Sequence, residues 1–352
     1  MIKWTAWFLF WMWLVVGNLQ LGGAATATNK ELLLLNWEEY FDPQVLALFE
    51  KRHGVKIKEH YFETDETRDE ILAQTNGEKH DLVLVSSHKI EGYVKRGWLA
   101  PLVEEKIPNL KNVEKRWRGT HAKAESHAVP VFWGTLGIGY RRDLLGEEIT
   151  SWQQLFRPDA KWHKKIMMIK DSGDLYGMAL KYLGYSMNSD DPAAIEAAEK
   201  LLMEQKPAVR TYGYMPLTEE SGLVTGSTAM AMVYNGDAIT LQKLKPEIAF
   251  VAPKEGTNLW VDSMAILEKS PRRDLAHAFI NFLHEPEVAA KMAQFANFAT
   301  VNGEGAKLLP KEFLSNPTIY PPAEVLERSE FSRPFPPKVA RKINSGFNRL
   351  IH

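Results

Sequence analysis

The chain of 352 residues contains no cysteine. That absence excludes disulfides, thiolate metal sites, cysteine nucleophiles and a lipid anchor built on a cysteine after the leader. Net charge is nearly absent too. The 43 lysines and arginines against 44 acidic residues leave −1, so nothing points to nucleic acid. No segment beyond the N-terminal leader could span a membrane. Enzyme signatures are missing: there is no G-x-S-x-G, no H-E-x-x-H and no P-loop. The 10 histidines are scattered, and His60, His163 and His284 lack metal-ligand spacing. The sequence therefore predicts no catalytic residue, no metal site and no cofactor.

What is present begins with a secretory signal. Lys3 opens a short positive region, Trp4 to Val16 is apolar apart from Thr5, and Ala25-Thr26-Ala27 is a small-x-small cleavage site. The apolar run falls short of the roughly 20 residues a membrane anchor needs. Residues 1–27 are expected to be cleaved and the mature chain exported to the periplasm. Apolar content of 45% and charged content of 25% describe a globular protein, and the length suits two domains.

Strands and helices alternate. The apolar runs at 32–35 and 81–85 and the segment 55–58 read as strands, with helices at 43–53, about 66–74 and 88–96 between and after them. This βαβ order argues for a parallel sheet with right-handed crossovers. Residues 101–130 look irregular. The segment 131–140, V-F-W-G-T-L-G-I-G-Y, reads as a strand passing between domains. Further strands are expected at 166–169, 229–234, 248–252 and 259–266. Helices are expected at 174–183, 191–203, 237–243, 272–284, 286–296 and 339–349.

The segment N-W-E-E-Y, residues 36–40, lies where strand 32–35 turns into a helix that Asp42 caps and Pro43 begins. Ligands of open α/β sheets bind at such strand ends. Two aromatics and two carboxylates there, Trp37, Tyr40, Glu38 and Glu39, suit an organic cation. The alternative is plain packing, with the rings under the loop and the glutamates in water. The same logic recurs at Ser86 and His88 after strand 81–85, at Asp171 and Asp174 around a helix start, at Tyr234 after strand 229–234, and at Trp260 and Asp262 on one strand face. Each singly also reads as a cap, a turn or a core ring; Asp171-x-x-Asp174 fits a plain N-cap.

Taken together, N-W-E-E-Y (36–40), H-D-L-V-L-V-S-S (80–87), F-W-G-T-L-G-I-G (132–139), L-G-Y-S (183–186), D-P-A-A-I-E-A-A (191–198), Y-N-G (234–236), L-W-V-D-S-M-A-I (259–266) and I-N-F-L (280–283) resemble the periplasmic spermidine/putrescine-binding proteins, receptors of polyamine ABC importers. The resemblance spans nearly the whole mature chain. It implies an α/β periplasmic-binding-protein fold of two lobes, each a mostly parallel sheet flanked by helices, with a ligand cleft between. Lobe one would be 28–137 plus 263–306, and lobe two 138–262 plus 307–352.

Residue by residue, the resemblance implies that Trp37 and Tyr40 are the family's aromatic pair, Glu39 its adjacent carboxylate and Ser86 a polar cleft residue. Asp171 would hold a terminal amine, with Asp174 one methylene shorter than the family's glutamate. Tyr234 stands for a tryptophan; Trp260 and Asp262 match unchanged. Glu38 replaces a threonine, and His88 and Phe298 each replace a tyrosine. Ser332 loosely matches a glutamine. Spermidine, norspermidine, putrescine and spermine all remain open as ligands. The expected partner is an ABC permease; the alternative is a sensor role, docking on a membrane signalling protein such as a cyclic-di-GMP regulator. The chain is expected to act as a monomer. A polyamine-modifying hydrolase lacks any nucleophile–base signature, and the three aspartates argue against a neutral sugar.

Overall fold

The computed structural model describes residues 31–119 and 124–352; the expected leader, 1–27, lies outside the described residues. Among the described residues, eleven strands form one sheet: β1 (Glu31–Asn36), β2 (Lys56–Tyr61), β3 (Leu82–Ser86), β4 (Ala128–Arg141), β5 (Ile166–Met168), β6 (Val209–Tyr212), β7 (Met230–Tyr234), β8 (Ile248–Val251), β9 (Asn258–Ile266), β10 (Ala299–Thr300) and β11 (Glu330–Phe331). Their order is β2-β1-β3-β9-β4-β7-β5-β6, with β8 and β10 on β4 and β11 on β9.

The parallel pattern read from the sequence holds at both flanks, β2-β1-β3 and β6-β5-β7. The centre is different. The two long strands β4 and β9 run antiparallel to each other, β9 also pairs β3 antiparallel and β4 also pairs β7 antiparallel. They join the flanks, so the chain between them is ordered strand and not tether. The irregular region is shorter than its composition suggests. Residues 104–117 contain three 3-10 turns, and β4 begins at Ala128.

Local signals set the helix ends. Asp42 Oδ1 accepts from the Gln44 N–H at 2.8 Å, Pro43 starts helix Pro43–His53, and Gly54 ends it at φ 61°. That fixes where the Asn36–Tyr40 turn sits relative to the sheet.

Two large apolar cores lie along the sheet, with two smaller ones beside them among the described residues. The first gathers Leu32, Leu34, Phe49, Phe279 and Ile280 with Phe132 and Trp133 of β4. The second gathers Trp152, Phe156, Met178 and Leu202 with Leu136, Ile138 and Tyr140 of β4. Gly134-Thr135 is thus the point on β4 where one core gives way to the other. Leu309 and Ile319 are buried in the first core, with Phe313 and Tyr320 against it, whereas Ile343 and Leu350 belong to the second. The chain thus packs against the first core as far as Leu326 and Phe331 and against the second from Phe335 onward. The physical reason is the apolar spacing of Leu309, Phe313 and Ile319, which keeps this segment on the first core. Among the described residues no helix is long and apolar enough to cross a membrane.

Candidate functional site

Asn258, Trp260 and Asp262 alternate along β9 and so share one face of it. Each meets a different part of the chain. At one end, Asp262 is 8% exposed. Its Oδ2 accepts from Tyr40 Oη at 2.8 Å, and its Oδ1 accepts from Ser86 Oγ at 3.0 Å. Tyr40 comes from the turn after β1 and Ser86 from the last residue of β3. In the middle, Trp260 meets Phe298 edge-on, with centroids 4.9 Å apart. Phe298 also lies 5.6 Å from Tyr40 and 5.8 Å from Phe132, so four rings form one wall. At the other end, Asn258 Nδ2 donates to Asp174 Oδ1 at 2.7 Å, and Tyr234 Oη donates to Asp174 Oδ2 at 2.7 Å.

Asp171 serves two purposes. Its Oδ1 accepts from the Asp174 N–H at 2.8 Å, which is the N-cap that the sequence allowed. The same cap delivers Asp174 into the cluster, because it fixes the first turn of helix Ser172–Tyr182. Cap and cluster member are therefore not alternatives here.

The electrostatics are one-sided. Burial pushes the Asp174 carboxyl up to about 7, with the charge of Asp171 adding to it, while Tyr234 and Asn258 pull the other way. Asp171 is raised by burial and, after the relief from its cap, by the charges of Asp65 and Glu66. Asp262 is raised by burial, partly offset by Tyr40 and reinforced by Asp65. Tyr40 and Tyr234 are pushed well above the ordinary phenol range by burial and by Asp262 and Asp174 respectively. Among the described residues, no lysine, arginine or histidine pairs with Asp171, Asp174 or Asp262. Buried carboxylates are ordinarily paired with cations, because an unpaired one loses several kcal/mol of hydration.

The remaining residues singled out from the sequence lie around this cluster. Trp37 is half-buried and packs on Phe62 at 4.5 Å, outside the four-ring wall. Glu38 and Glu39 are exposed, and their charges reach Tyr61. His88 Nε2 stands 3.8 Å from Asp65 Oδ2. Ser332 follows β11, one step past the Phe331–Leu259 pair of β11 with β9.

Four residues were not singled out from the sequence. Phe132 read as core within an apolar strand, and it is both core and wall. Asn258 opens β9 and had no signal beyond its two-residue spacing from Trp260. Asp65 and Glu66, at the start of helix Asp65–Thr75, read as ordinary helix-end acids. Asp65 is raised by burial but more than compensated by Arg68, His88 and Lys89, so its carboxyl is held below the usual range.

The wall tolerates no added atom at Gly236. A Cβ there would sit 1.9 Å from the Phe298 ring. Gly236→Ala is expected to displace Phe298 and to cost about 1–3 kcal/mol of overpacking. Denaturant melts of the ligand-free protein check this, and an unchanged midpoint would contradict the packing described.

Among the described residues, the arrangement gathers carboxylates, hydroxyls, one amide and aromatic rings, with no nucleophile–base pair. Residues 44–320 match the family described as bacterial extracellular solute-binding protein. The chain is 30% identical over 322 residues to the spermidine/putrescine-binding periplasmic protein of Escherichia coli, covering 90% of this chain and 91% of that one. It is 29% identical over 348 residues to a putrescine-binding periplasmic protein of Pseudomonas aeruginosa, covering 94% of both. The structure of a spermidine/putrescine ABC transporter substrate-binding protein from Streptococcus pneumoniae superposes with a TM-score of 0.82 at 27% identity, covering 91% of this chain and 98% of that one. The chain therefore belongs to the bacterial extracellular solute-binding protein family, with the α/β periplasmic-binding-protein fold and a binding rather than an enzymatic role.

Proposed function

We propose that this protein is a periplasmic receptor for a linear polyamine of the spermidine, norspermidine or putrescine class, and that it delivers its ligand to an ABC permease. The observation that carries the reading is the pair of buried carboxylates Asp174 and Asp262, with half-buried Asp171 beside Asp174, which hydroxyl, amide and backbone N–H donors reach but no cation pairs among the described residues. A chain of ammonium groups supplies the missing charges, and its methylenes fit the ring wall between them.

Distance supports the same reading. Asn258 and Asp262 lie four residue steps apart on the strand, about 13 Å at ~3.3 Å each. Allowing roughly 2.8 Å for a hydrogen bond at each end leaves about 7–8 Å. Single bonds in an extended chain advance about 1.2 Å each, so four methylenes between two nitrogens cover about 6 Å. Asp262 would then pair an inner amine and Asp171 with Asp174 a terminal one. The far end would run past Ser86 and Tyr40 toward Trp37 and His88, with Glu38 and Glu39 at the exposed rim.

Charge-assisted hydrogen bonds contribute about 1.5–3 kcal/mol each and cation–π contacts about 0.5–2 kcal/mol. A few of each, less the cost of association, support micromolar binding, about −8 kcal/mol. The site draws Tyr40, Ser86 and Phe298 from around the first core and Asp171, Asp174 and Tyr234 from around the second. One cation touching both sets favours the closed arrangement of the two lobes. In this reading the first lobe is 28–137 plus 263–306 and the second 138–262 plus 307–352, with the stretch from Leu309 to Phe331 packing on the first core. Export would follow cleavage after Ala27, and the receptor would act as a monomer.

Polyamine uptake in a strain deleted for this gene tests the role. Loss of uptake, restored by the gene, is the expected result. Unchanged uptake would count against import and move the role to docking on a membrane signalling protein.

A further inference from the structure

A primary ammonium carries three N–H donors and can be satisfied only by acceptors. At the Asp174 end the structure offers more than the two aspartates. Asn258 is 5% exposed, and its amide is oriented by its neighbour: Nδ2 donates to Asp174 Oδ1 at 2.7 Å. The other amide atom, Oδ1, is buried and has no hydrogen-bond partner among the described residues. An orphaned buried acceptor is uncommon and costs about 1–3 kcal/mol unless something donates to it.

Other orphaned atoms nearby do not suit the same role. Trp260 Nε1 and Asn235 Nδ2 are donors, which a cation cannot satisfy. Thr135 Oγ1 is an acceptor, but no hydrogen bond ties Thr135 to either aspartate. Asn258 alone combines an unpartnered acceptor with a direct bond to Asp174, on the strand face that carries Trp260 and Asp262.

We propose that Asn258 Oδ1 is the third acceptor for a terminal ammonium held by Asp171 and Asp174, and that it makes the site selective for an unmodified primary amine. This rests on the polyamine reading above. Asp171 Oδ1 is used by the cap and both Asp174 oxygens already accept one bond. The three hydrogens of a primary ammonium would go to Asp171, Asp174 and Asn258. A dimethylated terminal nitrogen keeps its charge but has one hydrogen, so Asn258 would have nothing to accept.

The test compares spermidine with spermidine dimethylated on both terminal nitrogens, titrated against wild type, Asn258→Leu and Asn258→Ala. Two variants guard against one that fails to fold, and each is first checked by its melting transition. Wild type is expected to favour spermidine by tenfold or more. Each variant is expected to lose about tenfold for spermidine, the scale of one charge-assisted hydrogen bond, and less than threefold for the methylated ligand. An equal loss for both ligands would mean that Asn258 only positions Asp174, and would overturn the inference, as would unchanged affinities. If wild type binds neither amine, the polyamine reading fails and this inference fails with it. Wild-type spermidine binding with an unaltered preference in the variants overturns this inference alone.

Discussion

Asp262→Ala is expected to remove most polyamine binding, with a loss of about thirty- to four-thousandfold. The reasoning starts from what surrounds the carboxylate. It sits at the back of the ring wall, 8% exposed, and among the described residues its side-chain hydrogen bonds come from the hydroxyls of Tyr40 and Ser86. Both hydroxyls donate to it, so they turn their oxygens, and not their protons, toward any further donor. Truncating one member of a buried hydrogen-bonded charge pair costs about 2–5 kcal/mol, and at about 1.4 kcal/mol per decade that gives the stated loss.

The same substitution is expected to leave the ligand-free protein as stable as before, or slightly more so. Burial already raises the Asp262 carboxyl above its ordinary value, which marks a group that the fold holds at a cost. Asp262→Asn, which keeps the shape, separates the two effects. Calorimetric titration should show lost binding, and a melt should show a midpoint equal to or above wild type. A large drop in the melting temperature would show instead that Asp262 is a structural residue of the β3–β9 seam.

The second large effect is on pH. The Asp174 carboxyl is pushed up to about 7 by burial and by Asp171. Below that value the ligand-free site holds a proton on Asp174, and an incoming ammonium must displace it. Affinity is therefore expected to weaken as pH falls below about 7, by up to tenfold per unit and up to about a hundredfold by pH 5. The ligand amines stay charged throughout, so the change belongs to the protein.

Stability runs the other way. An aspartate whose folded value is raised from 3.8 to about 7 binds a proton in the folded state that the unfolded chain releases between those values. Its contribution to ligand-free stability thus grows as pH falls through about 7 and is fully present below the unfolded value. The melting-temperature gain on adding ligand should shrink as pH falls, even as this group steadies the empty protein. Asp174→Asn should flatten both trends. Affinity that is constant from pH 8 to pH 5 would contradict the placement of an ammonium on Asp174.

Much of the site could be read from the sequence because it is built from local grammar. Asn36–Tyr40 sits after an apolar strand and before an Asp-Pro helix start, so its position at a strand end followed from neighbours in the chain. Asp171 and Asp174 were visible as a cap, and the cap geometry is what aims Asp174 inward. Trp260 and Asp262 were placed on one face by the two-residue period alone. What escaped the reading depends on distant pairing. Asn258 matters because β9 brings it to a helix 84 positions earlier in the chain. Phe132 looked like core because a wall ring and a core ring have the same apolar signature. The antiparallel run of β4 against β9 was hidden since neither strand's own sequence states the direction of its neighbour. The return of the segment at Leu309 to Ile319 to the first core was hidden because an apolar spacing says that a helix packs, not against which core.

Calorimetric titration of the mature protein with putrescine, norspermidine, spermidine and spermine at pH 7.5 tests the central claim most directly. The account predicts binding of at least one of them at micromolar affinity or tighter, with one ligand per protein. Absence of binding across all four would contradict the claim that the buried carboxylates of β9 and its neighbours form a polyamine site.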